Sequence, residues 1–419
     1  MSFLFKKIVV FCLIFSVFLI NNKFILADDE IEEIETKVIE KVIQTTSEVV
    51  DEPKINSRHA IVLDRNSKAV IYGKNEMIKT KMASTTKIMT SLIVIERCNL
   101  NDIVKISAKA AGTGGSRLKI KKGDIISVRD LLYGLMLRSG NDAAVALAEY
   151  AGGSVEGFAT LMNKKAHELG LEYTNFVTPH GLDAEEHYTT AYELAILTDY
   201  ALKNKTFTNI VSTKTCNISV NGVSRTISNT NELLGYLDGV YGVKTGFTNG
   251  AGRCLVTSAK RGDLDMICIV LGADTKKIRT TDSVKLIEYA FVNFENINIK
   301  AKIEEEFNNW KSINMGRINI EKGVKKVINL KLEEYDLETY PIKNNTEEKI
   351  EIKIEANLEL SAPVEKNYKI GEVTFFYNDN IIFKIGILAA EKIERKGIGD
   401  YVFEILKKYN YYLIEVLIK

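Results

Sequence analysis

Hydrophobic and polar positions are arranged in two different ways along this 419-residue chain. Up to about residue 296, short apolar runs typical of strands alternate with longer stretches in which apolar residues recur at helical spacing. Farther on, residues 350–360 alternate strictly between apolar and polar side chains, which indicates strands with one buried face. The pattern therefore predicts two domains, at 54–296 and 297–394.

The first region predicts strands, a block of helices, and then strands with a closing helix. Two apolar runs flank Arg65-Asn66-Ser67-Lys68, which indicates a hairpin. The other predicted elements are helices at 84–97, 131–150 (interrupted by a turn at 139–141), 155–169, 189–202 and 282–291, and strands at 254–259 and 265–271. This order is typical of an α+β domain with a mainly antiparallel sheet.

The second region predicts a small β-sandwich. Apolar residues alternate with polar ones, and two strand-like runs flank Asn378-Asp379-Asn380, a second hairpin signal. Residues 395–419 change character again, because charged residues fall on one helical face and Tyr, Ile, Leu and Val cover much of the rest. We expect an amphipathic membrane-anchor helix that lies at the outer face of the membrane. A helix packed on the sandwich is the alternative.

The N-terminus has the pattern of an export signal. Lys6 and Lys7 precede an apolar run at 8–20, which is short for a membrane span, and Ala27 is a suitable small residue before cleavage. The sequence thus predicts a signal peptide at 1–27, with an uncleaved anchor as the alternative, and an exported enzyme. Residues 28–53 are acidic and predict a linker or an exposed helix.

Composition removes several classes of partner. The net charge is +1, so the chain lacks the basic field expected of a nucleic-acid-binding protein. No group of cysteine and histidine residues has the spacing of a metal site, and we expect neither metal nor cofactor. Cys98, Cys216, Cys254 and Cys268 permit disulfides in an exported chain, but Cys254 and Cys268 lie in strand-like runs and favour buried thiols.

Three short strings carry the candidate chemistry. Ser84-Thr85-Thr86-Lys87, Ser139-Gly140-Asn141 and Lys244-Thr245-Gly246 follow one another in that order. A serine hydroxyl needs a neighbouring base to act as a nucleophile. On a helix, Ser84 and Lys87 share one face at i and i+3. We therefore expect Ser84 to be the nucleophile and Lys87 its base.

The other two strings supply supporting groups. Burial and a second cation lower a lysine pKa, and Lys244 is the candidate cation. We expect Ser139 to relay a proton to the leaving amine and Asn141 to hold a substrate amide.

Lys244-Thr245-Gly246 predicts an edge strand at the substrate site. Thr245 offers a hydroxyl, and Gly246 lets substrate backbone approach closely. The backbone N–H groups of Ser84 and Phe247 are the expected oxyanion hole.

These strings together identify a resemblance. The chain resembles the low-molecular-mass penicillin-binding proteins that are serine-type D-alanyl-D-alanine carboxypeptidases, over about residues 54–392. The likeness extends to Pro179-His180-Gly181-Leu182 and Gly242-Val243-Lys244-Thr245-Gly246-Phe247-Thr248. It implies a β-lactamase/transpeptidase-like catalytic domain that removes the terminal D-alanine from peptidoglycan stem peptides and is acylated by β-lactams.

The resemblance also implies one further site residue. Arg279, expected shortly before the last helix of the catalytic domain, matches an arginine that binds the substrate's terminal carboxylate together with Thr245. Some members carry histidine where this chain has Phe247.

Other functions remain as alternatives. A class A-like β-lactamase shares two of the strings but needs a glutamate for deacylation, for which Glu168 and Glu172 lie in the right region. A DD-endopeptidase uses the same acyl-enzyme, and a non-catalytic wall-binding protein is a third class. A Ser–His–Asp triad is disfavoured because no G-x-S-x-G string surrounds Ser84.

Overall fold

The computed structural model describes residues 36–46 and 51–418, so the expected signal peptide at 1–27 lies outside the described residues. Two compact units follow one another along the chain, and they divide between Asn293 and Phe294. The sequence placed this boundary three residues later.

The first unit contains a five-stranded antiparallel sheet with strand order β2-β1-β9-β8-β7, and a smaller sheet with order β3-β4-β5-β6. Strand β7 is therefore an edge strand, as the sequence predicted. Its strands are β1 (His59–Asp64), β2 (Val70–Lys74), β3 (Ile103–Lys105), β4 (Ile125–Ser127), β5 (Thr215–Val220), β6 (Val223–Ser228), β7 (Val240–Thr248), β8 (Gly252–Arg261) and β9 (Leu264–Ala273).

The helices of the first unit are α1 (Thr36–Thr46), α2 (Lys87–Arg97), α3 (Ala108–Ala111), α4 (Val128–Leu137), α5 (Asn141–Gly152), α6 (Val155–Glu168), α7 (Ala191–Leu202), α8 (Lys205–Val211) and α9 (Lys276–Asn293). Helix α2 is the central one, because every residue from Lys87 to Val94 is buried. A helix buried on all sides places its polar residues in a dry environment. Side-chain caps start several of the others; Ser127, for example, accepts from the Asp130 amide at α4.

The predicted α+β fold and the first hairpin are confirmed, with two differences. Helix α9 begins at Lys276, so Arg279 lies in its first turn and not ahead of it. Of the two forms expected for residues 28–53, a linker or an exposed helix, residues 36–46 form a helix, α1, but it packs against α9 and buries Ile39. The four cysteines are free thiols in this structure, with Cys254 and Cys268 buried.

The second unit is the small β-sandwich domain. Its largest sheet has strand order β12-β17-β16-β14, and the β16–β17 hairpin turns at Asn378-Asp379, as predicted. Its elements are β10 (Phe294–Asn298), α10 (Ile299–Asn314), β11 (Asn319–Glu321), β12 (Leu330–Leu332), β13 (Thr339–Lys343), β14 (Ile350–Ala356), β15 (Glu359–Ser361), β16 (Lys369–Tyr377), β17 (Asn380–Ala389) and α11 (Ile398–Ile418). Helix α10 was not predicted.

Helix α11 is the expected amphipathic segment. All of its side chains that the structure describes are exposed, from Ile398 to Tyr411 and at Ile414. None of the described helices combines the length and the apolar character that crossing a membrane requires.

Candidate active site

Ser84 lies in a 3-10 turn, Ala83–Thr86, that leads directly into α2. Ala83 has φ of 47°, the left-handed region that a residue with a Cβ rarely adopts. The turn leaves Ser84 at the edge of the buried core, with 9% of its surface exposed. Strain of this kind immediately before a serine is common at functional sites and indicates that packing fixes the position of the hydroxyl.

Lys87 is fully buried, and its amine contacts three oxygen atoms. Nζ lies 2.7 Å from Ser84 Oγ, 2.7 Å from Asn141 Oδ1 and 2.8 Å from the His180 carbonyl oxygen. The amide and carbonyl oxygens can only accept hydrogen bonds, whereas a hydroxyl can also donate. A neutral Lys87 that donates to both carbonyls therefore turns its lone pair towards the Ser84 hydroxyl, which is the geometry of a general base.

The loop that carries His180 is fixed against α2. Thr90 Oγ1 donates to the Pro179 carbonyl oxygen at 2.6 Å. Gly181 has φ of +85°, and a Cβ there would lie 1.9 Å from the Ala83 carbonyl oxygen. Only glycine fits this position, which brings the loop backbone against the strained turn before Ser84.

His187 connects the same loop to the nucleophile turn. Its Nδ1 accepts from the Val177 amide at 2.9 Å, so Nε2 carries the proton and donates to Thr86 Oγ1 at 2.8 Å. Burial lowers the pKa of His187 to about 4. Burial and the positive charge of Lys87 lower the pKa of His180 to about 3. Both are neutral at neutral pH, and both serve to hold the loop.

The second string forms the turn between α4 and α5. Ser139 has φ of 58°, and its hydroxyl is buried without a hydrogen-bond partner among the described residues. Asn141 uses both ends of its amide within the protein, because Oδ1 accepts from Lys87 and Nδ2 donates to the Gly114 carbonyl oxygen at 2.8 Å. The sequence assigned that amide to the substrate; the structure shows it holding Lys87.

The third string lies on edge strand β7. Lys244 is buried, and its Nζ donates to the Thr245 carbonyl oxygen at 2.9 Å. The Thr245 hydroxyl lies 2.7 Å from that of Thr230. The guanidinium of Arg253 stacks 3.9 Å from the centre of the Phe247 ring, so this side chain covers the adjacent strand.

Gly246 faces the nucleophile turn. A Cβ at this position would lie 3.1 Å from the Ser84 amide nitrogen and 3.3 Å from that of Thr85. The sequence attributed this glycine to the approach of substrate backbone. In the structure, the close neighbour is the backbone of the protein's own nucleophile turn, which brings strand β7 against the Ser84 N–H.

Arg279 has a partner that the sequence did not indicate. Its side chain is 2% exposed, and its Nη2 donates to Glu232 Oε1, which also accepts from Thr280 Oγ1 at 2.6 Å. Burial alone would raise the pKa of Glu232, but the charge of Arg279 and the Thr280 hydroxyl hold that pKa below its usual value. Glu232 is a loop residue, and no pattern in the sequence links it to Arg279.

The candidate deacylation glutamates lie elsewhere. Glu168 ends α6 with its side chain 47% exposed and pairs with Lys165 at 3.1 Å. Glu172 is exposed in the loop that follows. Neither contacts Ser84, so the described residues offer no support for a class A-like deacylation device at these two positions.

Comparison with known proteins identifies the family to which this chain belongs. Residues 46–275 match the model of the D-alanyl-D-alanine carboxypeptidase family, and residues 311–395 match that of the penicillin-binding protein 5 C-terminal domain. The D-alanyl-D-alanine carboxypeptidase DacF of Bacillus subtilis is 34% identical over 84% of this chain and 88% of its own length. DacC of Escherichia coli, also a D-alanyl-D-alanine carboxypeptidase, is 33% identical over 87% of this chain and 91% of its own.

A solved structure resembles both units. Penicillin-binding protein 5 from Haemophilus influenzae superposes with a TM-score of 0.69 at 28% sequence identity. The match covers 83% of this chain and all of that one.

Proposed function

Because this chain belongs to the D-alanyl-D-alanine carboxypeptidase family, we propose that it removes the terminal D-alanine from peptidoglycan stem peptides through an acyl-enzyme on Ser84. One observation carries the proposal: the Lys87 amine lies 2.7 Å from the Ser84 hydroxyl, and its other two oxygen neighbours can only accept. Ser84 is then the single neighbour of these three that can give Lys87 a proton.

Acylation begins when neutral Lys87 takes the Ser84 proton. Oγ attacks the carbonyl carbon of the penultimate D-alanine, and the backbone N–H groups of Ser84 and Phe247 receive the negative charge that develops on the oxygen. The tetrahedral intermediate collapses, the C–N bond breaks, and D-alanine leaves with a proton on its amine. The unpartnered hydroxyl of Ser139 supports its role as the relay for that proton.

Deacylation reverses the roles. Lys87 takes a proton from water, the hydroxide attacks the ester carbonyl, and Ser84 leaves as a hydroxyl. A β-lactam presents a strained amide to the same hydroxyl and forms the corresponding ester, so penicillins are covalent inhibitors of this enzyme.

Thr245 and Arg279 recognise the free carboxylate of the terminal residue. A guanidinium binds a carboxylate by directional, charge-assisted hydrogen bonds. Thr230 contacts Thr245 and Glu232 contacts Arg279, and these two loop residues are two positions apart. Two residues span at most about 7 Å, so the partners of Thr245 and Arg279 lie close together, which supports recognition of one carboxylate by both side chains. A stem peptide that ends in D-Ala-D-Ala presents this free carboxylate to the site.

The enzyme acts outside the cytoplasm. The apolar run at 8–20 supports export by a signal peptide at 1–27, followed by the catalytic domain and the β-sandwich at 297–394. The exposed apolar side chains of α11 support attachment to the outer membrane surface through residues 395–419.

Mass spectrometry of a pentapeptide stem incubated with the protein tests the reaction. We expect the loss of one alanine from the peptide and a stable adduct of the protein with benzylpenicillin. Ser84→Ala should abolish both, and Lys87→Ala should slow acylation by about 10² to 10⁴. A penicillin adduct on the Ser84→Ala variant, or cleavage of an internal cross-link without loss of terminal alanine, would overturn the proposal.

A further inference from the structure

The partner of Arg279 lies on a loop that is itself fixed to the active-site strand. The loop between β6 and β7 carries Thr230, Asn231 and Glu232. Asn231 is buried and donates through Nδ2 to the Gly242 carbonyl oxygen of β7 at 3.0 Å. The backbone of this loop is thereby held against β7.

The pair is asymmetric in its exposure. The Arg279 side chain is 2% exposed and the Glu232 side chain 17%. Glu232 is thus the more exposed of the two, and a substrate carboxylate that pairs with Arg279 Nη2 must take its place. Because 17% of the Glu232 side chain is exposed, its movement towards solvent would hydrate a carboxylate whose Oε2 is buried in the resting pair.

The pairing is also incomplete. Arg279 Nε and Glu232 Oε2 are both buried without a hydrogen-bond partner among the described residues. A buried polar atom left unpaired weakens the state that contains it. A carboxylate that approaches Arg279 in a bidentate manner would satisfy donors that Glu232 leaves unused.

We propose that Glu232 is an internal competitor for the substrate: its carboxylate occupies Arg279 in the resting enzyme, and the terminal carboxylate of the peptide replaces it. Glu232 thus lowers the affinity for every carboxylate-terminated ligand. The inference rests on the proposed role of Arg279 as the carboxylate-binding residue.

Binding to a catalytically inactive background measures the exchange directly. The full chain carrying Ser84→Ala is titrated by calorimetry with a tripeptide ending in D-Ala-D-Ala and with its C-terminal amide. Adding Glu232→Gln removes the competing charge but keeps the size of the side chain. We expect the free acid to bind about tenfold more tightly and the amide to be unchanged, since the charge removed acts at short range in a buried site.

A matched control separates this effect from surface charge. Asp238 lies on the same loop with its side chain 90% exposed, and Asp238→Asn should leave both affinities unchanged. In the enzyme with Ser84 intact, Glu232→Gln should lower the KM for the pentapeptide and leave kcat nearly constant, the pattern of a ground-state effect. A residue that merely supports the fold would lower kcat or stability.

Two results distinguish failure of this inference from failure of the proposed function. If Arg279→Ala weakens the free acid but Glu232→Gln leaves it unchanged or weakens it, Glu232 positions Arg279 and the competitor role is wrong. If Arg279→Ala changes neither ligand, the carboxylate role of Arg279 is wrong, and this inference falls with it. Should Glu232→Gln not fold, Thr280→Val, which removes only the hydroxyl that holds Glu232, must tighten the free acid by about threefold for the inference to stand.

Discussion

Two buried bases in the active site differ in what surrounds their nitrogen atoms. Lys87 faces two carbonyl oxygens and one hydroxyl, so it can hold or release a proton while its contacts persist. His187 Nδ1 accepts from the Val177 amide, and a proton on Nδ1 would destroy that contact. Lys87 is therefore suited to proton transfer, and His187 is suited to keeping one protonation state.

The His187 environment predicts a loss of stability in acid. The pKa of His187 is about 4 in the folded chain and 6.5 in an unfolded chain. Between these pH values, His187 is protonated in the unfolded chain and neutral in the folded chain. Stability present above pH 6.5 is lost as the pH falls towards 4, by about 3 kcal/mol from this residue. Urea unfolding at a series of pH values measures the loss. It should be followed by circular dichroism, because His187 lies in the first unit whereas the fluorescence of Trp310 reports on the second unit.

Two variants provide the comparison. His187→Gln should be less stable at pH 7 but should lose less stability on acidification. His167→Gln, at an exposed position, should follow the unmodified chain. Equal acid slopes for all three proteins would show that His187 is not the titrating group.

For contacts between individual residues, the sequence predicted only those that follow from local spacing along the chain. Ser84 and Lys87 meet because they are three positions apart on one turn of helix. The His180 carbonyl that also holds Lys87 belongs to the main chain, and any residue type could supply it. Glu232 meets Arg279 across a sequence separation of 47 residues, which no local pattern encodes.

Among the elements, edge strand β7 and the nucleophile turn are positioned against each other. Gly246 is the point of contact, since a Cβ there would lie 3.1 Å from the Ser84 amide nitrogen and 3.2 Å from the Ala83 Cβ. The two proposed oxyanion donors, on the turn and on the strand, depend on this approach.

Gly246→Ala should therefore slow acylation without unfolding the protein. A shift of a few tenths of an ångström displaces an oxyanion donor, and misplacement at a reacting centre is costly, so we expect the second-order rate of penicillin acylation to fall at least about tenfold. The control is Gly262→Ala in the β8–β9 turn, where φ is +56° and nothing lies within 4 Å of the added Cβ. That variant should lose thermal stability and keep its acylation rate. Equal rates for the two variants would mean that the turn and the strand do not depend on this glycine.

Element prediction succeeded where periodicity was strong. The two hairpins and the buried helix α2 have clear apolar patterns, and they fold as expected. Helix α10 was missed although Ile299, Ile303 and Phe307 recur at a spacing of four and are buried, because strongly polar residues separate them. The first turn of α9, Lys276 to Arg279, contains three basic residues and was not predicted as helix, although Arg279 is buried in the structure.

In the molecule as a whole, two units have separate hydrophobic cores and the chain continues into an exposed helix. All three active-site strings lie in the first unit. The described side chains of α11 are exposed on every face, including Phe403, Ile405 and Tyr409. Exposed apolar surface of this extent is typical of an interaction site. The sequence predicted this helix because an amphipathic pattern depends only on residues close together in the chain. It also predicted two units, because the pattern of apolar and polar residues changes between them.

The position at which α11 should be removed follows from backbone pairing. Arg395 pairs with Gly323, and the Lys396 amide donates to the Lys322 carbonyl oxygen at 2.8 Å, so both residues belong to the second unit. A chain of residues 28–397 keeps these contacts and lacks only the helix. It should remain folded and cleave small stem peptides at the rate of residues 28–419, because no active-site residue lies beyond Arg279.

The two chains should differ in membrane binding. If α11 is the membrane anchor that we propose, residues 28–419 should float with vesicles of phosphatidylethanolamine and phosphatidylglycerol, and residues 28–397 should stay in solution, because burial of an apolar helix face in the interface favours attachment. Ile405→Asp with Tyr409→Asp keeps the length of the chain and places two charges on that face; both side chains are exposed, so the thermal midpoint should not change. Flotation of this variant would show that another segment carries the attachment to the membrane. Loss of peptide cleavage in residues 28–397 would show that α11 packs as part of the folded domain.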